Sequence, residues 1–148
     1  MVPPIDSTVK FDAFADQHDR IARMLAEIRE LLAQRRDALM VTATLGSLHV
    51  HLELHYVQEI QEDGFFDTII EQAPWLKKRA VALIREHTLL TNALEELLSR
   101  ANEGTPTEKW WNDMNARFEA FWKLFFRHEH AEIDLVQEAF NDDIGAAD

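Results

Sequence analysis

The stretch "LHVHLELHYVQEIQEDGFF", residues 48 to 66, decides the fold. Leu45, Leu48 and Leu52 recur at the spacing of one helix face, and the same stripe runs on through His55 and Glu59 to Phe66. An imidazole and a carboxylate therefore stand where a core helix would carry leucine. Burying them requires partners, and the rest of the chain has to supply those partners.

Glycine and proline are scarce, four of each, and they fall where helices would stop. Gly64 closes one segment and Pro74 opens another. In "ANEGTPTE" Gly104 ends a helix, and a capping box from Thr105 to Glu108 starts the next with Pro106 at the first helical position. The expected helices run from about residue 9 to 36, 39 to 63, 75 to 101 and 106 to 140. Each carries a core stripe at helical spacing. The first reads Phe11, Phe14, His18, Ile21, Leu25, Ile28, Leu32, and the third Leu76, Ala80, Leu83, His87, Leu90, Leu94, Leu97. The fourth reads Trp111, Met114, Phe118, Phe121, Phe125, His128, Glu132, Leu135, Ala139. Four amphipathic segments with short links predict an all-α fold, an antiparallel up-and-down four-helix bundle forming a single domain over 1–148, with short flexible ends at about 1–8 and 141–148. In such a bundle His18, about 18 residues before the end of its helix, comes level with His55 and Glu59 to within a few Å. Bringing His87 to the level of His128 requires the fourth helix to overhang the third by about two turns.

Composition narrows the chemistry. The chain has 148 residues and 47% apolar residues, enough for one domain with a real core. It contains no cysteine, which removes disulfides, thiolate metal sites and cysteine nucleophiles, so any metal is held by histidine and carboxylate. A net charge of -12 opposes binding to nucleic acid and to anionic membranes and favours neutral small molecules or cations as ligands. No apolar run spans a bilayer and the start "MVPPIDSTVK" lacks the pattern of a secretory signal, so a cytoplasmic location is expected. A monomer or weak dimer is expected. The aromatic band from Trp110 to Phe126 is mostly core by spacing, with Trp110, Trp122 and Phe126 widening it into either a dimer contact or a thick core wall.

A lone histidine on a buried stripe is ordinarily structural. Two ionised glutamates on core stripes, with no lysine or arginine on those stripes, are a different matter: each costs several kcal/mol to bury unless it is paired or binds a metal. His55 with Glu59 and His128 with Glu132 are both i, i+4 pairs, and each presents a nitrogen and an oxygen to one point. With His18 and His87 they supply four imidazoles and two carboxylates, which suits two metal ions bridged by the carboxylates better than one saturated ion. Iron, manganese and zinc all accept such donors.

His18, "HYVQE" at 55–59, "REH" at 85–87 and "HEHAE" at 128–132 together resemble the H…HxxxE…H…HxxxE signature of the hemerythrin-like (HHE cation-binding) family, in order and over most of the chain. The resemblance implies a four-helix bundle around two iron ions with an oxo or hydroxo bridge. Glu59 and Glu132 would be the bridging carboxylates, and His18, His55, His87 and His128 the terminal ligands. Oxygen-carrying hemerythrins have a second histidine on the third helix, four residues from the first, where this chain has Leu83 and Thr91 on either side of His87. That departure argues against reversible oxygen carriage and leaves both irons open to a small molecule. Members with this smaller ligand set are associated with peroxide decomposition, with nitric oxide or oxygen responses, and with iron handling tied to a cysteine-bearing region that is not found here.

Near the expected ligands, Tyr56 is the single tyrosine and a candidate catalytic phenol, against the plainer reading of a boundary aromatic facing water. His51 lies one turn before His55 and is a candidate outer proton donor or lining of an access route, or else a packed histidine. Glu86 is read as an exposed glutamate rather than an orienting group, and His49 and His130 are set aside, His130 because it projects about 200° from His128. The expected function is reaction with small oxygen-derived or nitrogen-oxide molecules, most concretely catalase-like decomposition of H2O2. The alternative is an O2 or NO binding or sensing module without turnover. A metal-free helical interaction protein is the third reading.

Overall fold

The computed structural model describes the backbone from residue 7 to 146 and the side chains from 15 to 140. Phe11 and Phe14, expected on the first core stripe, lie outside the described side chains. Among the described residues the protein is all-α, with no strand. Four long helices are α1 (Ser7–Gln34), α2 (Ala38–Ile60), α4 (Lys77–Glu103) and α5 (Glu108–Ala146). A short helix, α3 (Phe65–Gln72), and a single 3-10 turn at Pro74–Leu76 lie between α2 and α4.

Local chemistry sets the breaks. Arg35 takes the left-handed conformation (φ 51°) after α1, and the Asp37 carboxylate caps α2 by accepting from the Met40 N–H at 3.0 Å. Pro74 sits at the first position of the 3-10 turn, where its missing N–H costs nothing. The cap of α5 differs from the expected one. Thr107, not Thr105, accepts from a helix N–H, that of Trp110 at 3.2 Å, because Pro106 holds the residue before it away from helical geometry and pushes the start to Glu108.

The larger difference is α3. The sequence placed Phe66 on the second stripe, but α2 stops at Ile60 and the chain turns back on itself. Gln61 is extended, Asp63 is left-handed (φ 59°), and Gly64 passes so close to the last turn of α2 that a Cβ on it would lie 2.6 Å from the Gln58 carbonyl oxygen. Only hydrogen fits there. Phe65, Phe66 and Ile69 then enter the core from their own short helix.

Two apolar clusters result. The larger joins Ile21, Leu25, Ile28 and Leu32 of α1 to Val41, Leu45, Leu48 and Leu52 of α2, to Leu90, Leu94 and Leu97 of α4, and to the residues from Trp110 to Phe125 of α5. The smaller joins Phe65, Phe66 and Ile69 of α3 to Leu76, Ala80, Leu83, Leu135 and Ala139. On α4 and α5 alike, the histidines and glutamates fall between the part in one cluster and the part in the other. The functional candidates thus form a polar layer between two dry ones. Trp122 and Phe126 are half-buried against the larger cluster, with the Arg29 guanidinium 4.8 Å from the centre of the Trp122 ring, as a thick core wall requires. No helix of the described residues is long and apolar enough to cross a membrane.

Candidate metal centre

The polar layer gathers all six ligand candidates from four different helices. His55, Glu59, His87, His128 and Glu132 are buried, and the His18 side chain is about one-fifth exposed. His55 Nε2 lies 2.9 Å from Glu59 Oε1, and His128 Nε2 lies 2.6 Å from Glu132 Oε1. Contacts between helices complete the set. Glu132 Oε2 is 3.4 Å from His18 Nε2, while its Oε1 is 3.7 Å from His87 Nε2. Glu59 Oε1 is also 3.8 Å from His87 Nε2.

These separations are those of a group that could hold a metal. His128 Nε2 and Glu132 Oε1 are close, yet neither is aligned for a hydrogen bond, and the same is true of both Glu59 oxygens, both Glu132 oxygens and the Nε2 atoms of His18 and His87. Donor atoms that approach one another without bonding are aimed at a common point instead. Two ligands at right angles on an ion, with bonds of about 2.1 Å, stand about 3 Å apart. Two groups of ligand atoms lie within 4.8 Å of one another, His18, His55, Glu129 and Glu132 in one and His87, His128 and Glu132 in the other, and Glu59 falls in neither. Glu132 belongs to both. Imidazole and carboxylate without sulfur make a donor set that could hold a hard or borderline divalent ion.

Electrostatics point the same way. Burial pushes the Glu59 carboxyl well above the usual range, and the Glu132 charge beside it pushes further. Glu132 is opposed by burial too, but the imidazoles of His128, His18 and His87 beside it hold it well below the ordinary value. Burial brings His55 down to about 3, helped by the His18 charge, and lowers His87. His18 and His128 are raised, because their contacts with Glu132 and neighbouring carboxylates outweigh their burial. Without a cation the layer is a set of competing charges. Among the described residues no lysine or arginine pairs with Glu59, Glu129 or Glu132.

Several neighbours orient the candidates. The His55 Nδ1–H donates to Gln17 Oε1 at 2.6 Å, and the Gln17 amide in turn donates to Gln58 Oε1, which leaves His55 Nε2 directed at the layer. Glu86 does not orient its neighbour His87. Its carboxylate stands 3.5 Å from Nδ1 of His128, across the α4–α5 contact. Tyr56 departs from the plainer reading given to it: its ring is buried and stacked on His87 with centroids 3.8 Å apart, and its hydroxyl is buried without a hydrogen bond. Burial, with Glu132 and the other carboxylates nearby, raises that phenol well above its ordinary value and keeps it neutral. His51 donates from Nδ1 to the Ser47 carbonyl of its own helix at 2.8 Å, and lines a cavity of about 200 Å³ with Gln17, His55 and Gln58. His130 is exposed. His49 forms a surface group with Glu53 and Glu95, an ordinary solvated ion cluster.

Two residues escaped the sequence reading. Gln17 carried no signal beyond its place beside His18. Glu129 did carry one, since Phe125, His128, Glu129 and Glu132 follow the i, i+3, i+4, i+7 pattern of a buried face, so that Glu129 belongs to the stripe as fully as the others. Set against protein-family models, curated proteins and solved structures, the chain matches none of them.

Proposed function

We propose that the chain is a hemerythrin-like, non-haem diiron protein that decomposes hydrogen peroxide. The observation that carries this reading is Glu132, whose two oxygens face different histidines, Oε2 toward His18 and Oε1 toward His128 and His87. That is the posture of a carboxylate shared by two ions. Glu59, with one oxygen near both His55 and His87, is the second shared carboxylate. His18 and His55 would hold one ion, and His87 and His128 the other. In this reading the four long helices form an antiparallel up-and-down bundle, supported by the way α4 residues before His87 meet α5 residues after His128 in one cluster, and the reverse in the other.

When bound, two irons would relay two electrons from one molecule of hydrogen peroxide, which becomes dioxygen, to a second, which becomes two of water. The chain's own residues do the rest. Two apolar clusters above and below the layer exclude bulk water. A groove of about 400 Å³ between α2 and α4, lined by Tyr56, His87, Thr88 and Thr91, admits a small neutral molecule. Tyr56 lines this groove, and its neutral hydroxyl, which has no other partner, is free to donate a hydrogen bond to an incoming oxygen atom.

The test is metal analysis with an ultraviolet-visible spectrum of protein made in iron-supplemented cells, followed by peroxide addition. About two irons per chain, oxo-to-iron charge-transfer bands and dioxygen evolution are expected. A persistent coloured adduct with O2 or NO and no dioxygen evolution moves the assignment to a binding or sensing module. An apolar opening lined by Ala15, Phe65, Ile133 and Val136 beside His18 and Glu132 gives that second reading its own access route for apolar diatomics. Absence of metal after anaerobic iron reconstitution overturns both.

A further inference from the structure

The two ligand groups are unequal, and Glu129 makes them so. It follows His128 in sequence but points about 100° away from it around α5, toward α1. Its Oε2 lies 3.3 Å from His18 Nε2, and it joins His18, His55 and Glu132 with all ligand atoms within 4.8 Å of one another. The residue is buried, 8% exposed, and its Oε1 is enclosed without a hydrogen bond. On the His87 and His128 side no further carboxylate among the described residues joins the group.

A structural role does not account for this carboxylate. As a partner for His18 alone it would be redundant, because Glu132 already approaches the same nitrogen at 3.4 Å, and two carboxylates on one imidazole leave a net negative charge buried. As a ligand it is satisfied. Resting on the diiron reading, we propose that Glu129 is a terminal carboxylate ligand of the ion held by His18 and His55, and that exogenous small molecules consequently bind at the His87 and His128 ion. Counting shared carboxylates, the first ion then has His18, His55, Glu129, Glu59 and Glu132, and the second His87, His128, Glu59 and Glu132. For ions that favour six donors, the vacancies concentrate at the second. That ion is also the one whose histidine lines the α2–α4 groove with Tyr56. A third carboxylate further brings the protein's charge closer to that of two divalent ions.

The experiment compares wild type with Glu129→Gln and Glu129→Ala, each loaded with iron-57 in cells. Wild type is expected to hold two irons giving two distinct Mössbauer doublets, one of which shifts on azide addition. Both variants are expected to keep the helical circular dichroism and to lose affinity for one iron by tenfold or more, with formate restoring much of it to the alanine variant. Two irons bound as tightly as in wild type, with unchanged doublets, in either variant would overturn the role of Glu129 while leaving the diiron reading intact. A wild-type spectrum of two equivalent irons, both shifted by azide, overturns it without recourse to any variant. Wild-type protein that takes up no iron overturns the parent reading, and this proposal with it.

Discussion

Glu59 is fully enclosed, and in the metal-free protein carrying its charge is a burden that keeps its carboxyl protonated, because no lysine or arginine among the described residues answers it. Glu59→Gln removes that charge while keeping the shape. The metal-free variant is therefore expected to melt at the same temperature as wild type or higher, while its iron content falls well below two per chain. Calorimetry and metal analysis on one preparation check both halves, and full iron retention would remove Glu59 from the ligand set. Tyr56→Phe separates chemistry from scaffold in the same way. Its hydroxyl is buried without a partner, so its loss leaves stability unchanged or raises it by about 1 kcal/mol. Peroxide turnover is expected to fall by at least about tenfold if the phenol hydrogen-bonds the reacting oxygen. Unaltered turnover with full iron would assign Tyr56 to packing alone. Of the residues in the layer, those on the stripes of His18, His55, His87 and His128 were legible because they replaced leucine at fixed spacing. Glu129 was not picked out, since beside His128 it looked like one more charge on an acidic chain.

At the scale of the elements, two glycines make opposite predictions. Gly46 lies inside α2, and a Cβ added there meets nothing within 4 Å. Gly46→Ala is expected to stabilise the protein by about 0.5–1 kcal/mol through the lower backbone entropy of the unfolded chain. At Gly64 the same substitution would bring Cβ to 2.6 Å from the Gln58 carbonyl and 3.0 Å from that of Glu59. It is expected to cost about 1–3 kcal/mol and to weaken iron binding, because the backbone that must move carries Glu59. Denaturant unfolding and iron titration of the pair test both. The long helices were readable from periodicity and from Asp37, Pro74 and Gly104. The helix α3 was not, because "FFDTII" is too short for its periodicity to separate a helix from the tail of α2. Its position depends on the tight passage at Gly64, a contact between backbones that leaves no pattern in the sequence.

For the molecule as a whole, the layer couples folding to protons and, on the proposed reading, to metal. Glu129 holds its proton up to about 7 in the folded chain against an ordinary 4.5, so the metal-free protein binds more protons folded than unfolded between those values and loses stability as pH rises through them. Glu59, also raised, acts in the same direction. His55, lowered to about 3 from 6.5, acts oppositely, stabilising as pH rises through that window. Metal binding needs the carboxylates ionised and the imidazoles neutral, so it displaces protons from Glu59, Glu129, His18 and His128 and strengthens with pH. The melting temperature of iron-loaded protein minus that of chelated protein is accordingly expected to widen from pH 5 to pH 8. A gap that stays constant or narrows would mean that the ions, if bound, do not sit among these groups. The sequence by itself determined the helical class, the stripes and the polar residues interrupting them, because helix formation and periodicity are local properties. Tertiary structure alone decided that His18, Glu129 and Glu132 converge, that Tyr56 is buried against His87, and that α3 closes one side of the layer. Those facts depend on how far each helix slides along its neighbours, and the depth of side-chain packing that fixes this slide is shared among helices distant in the chain.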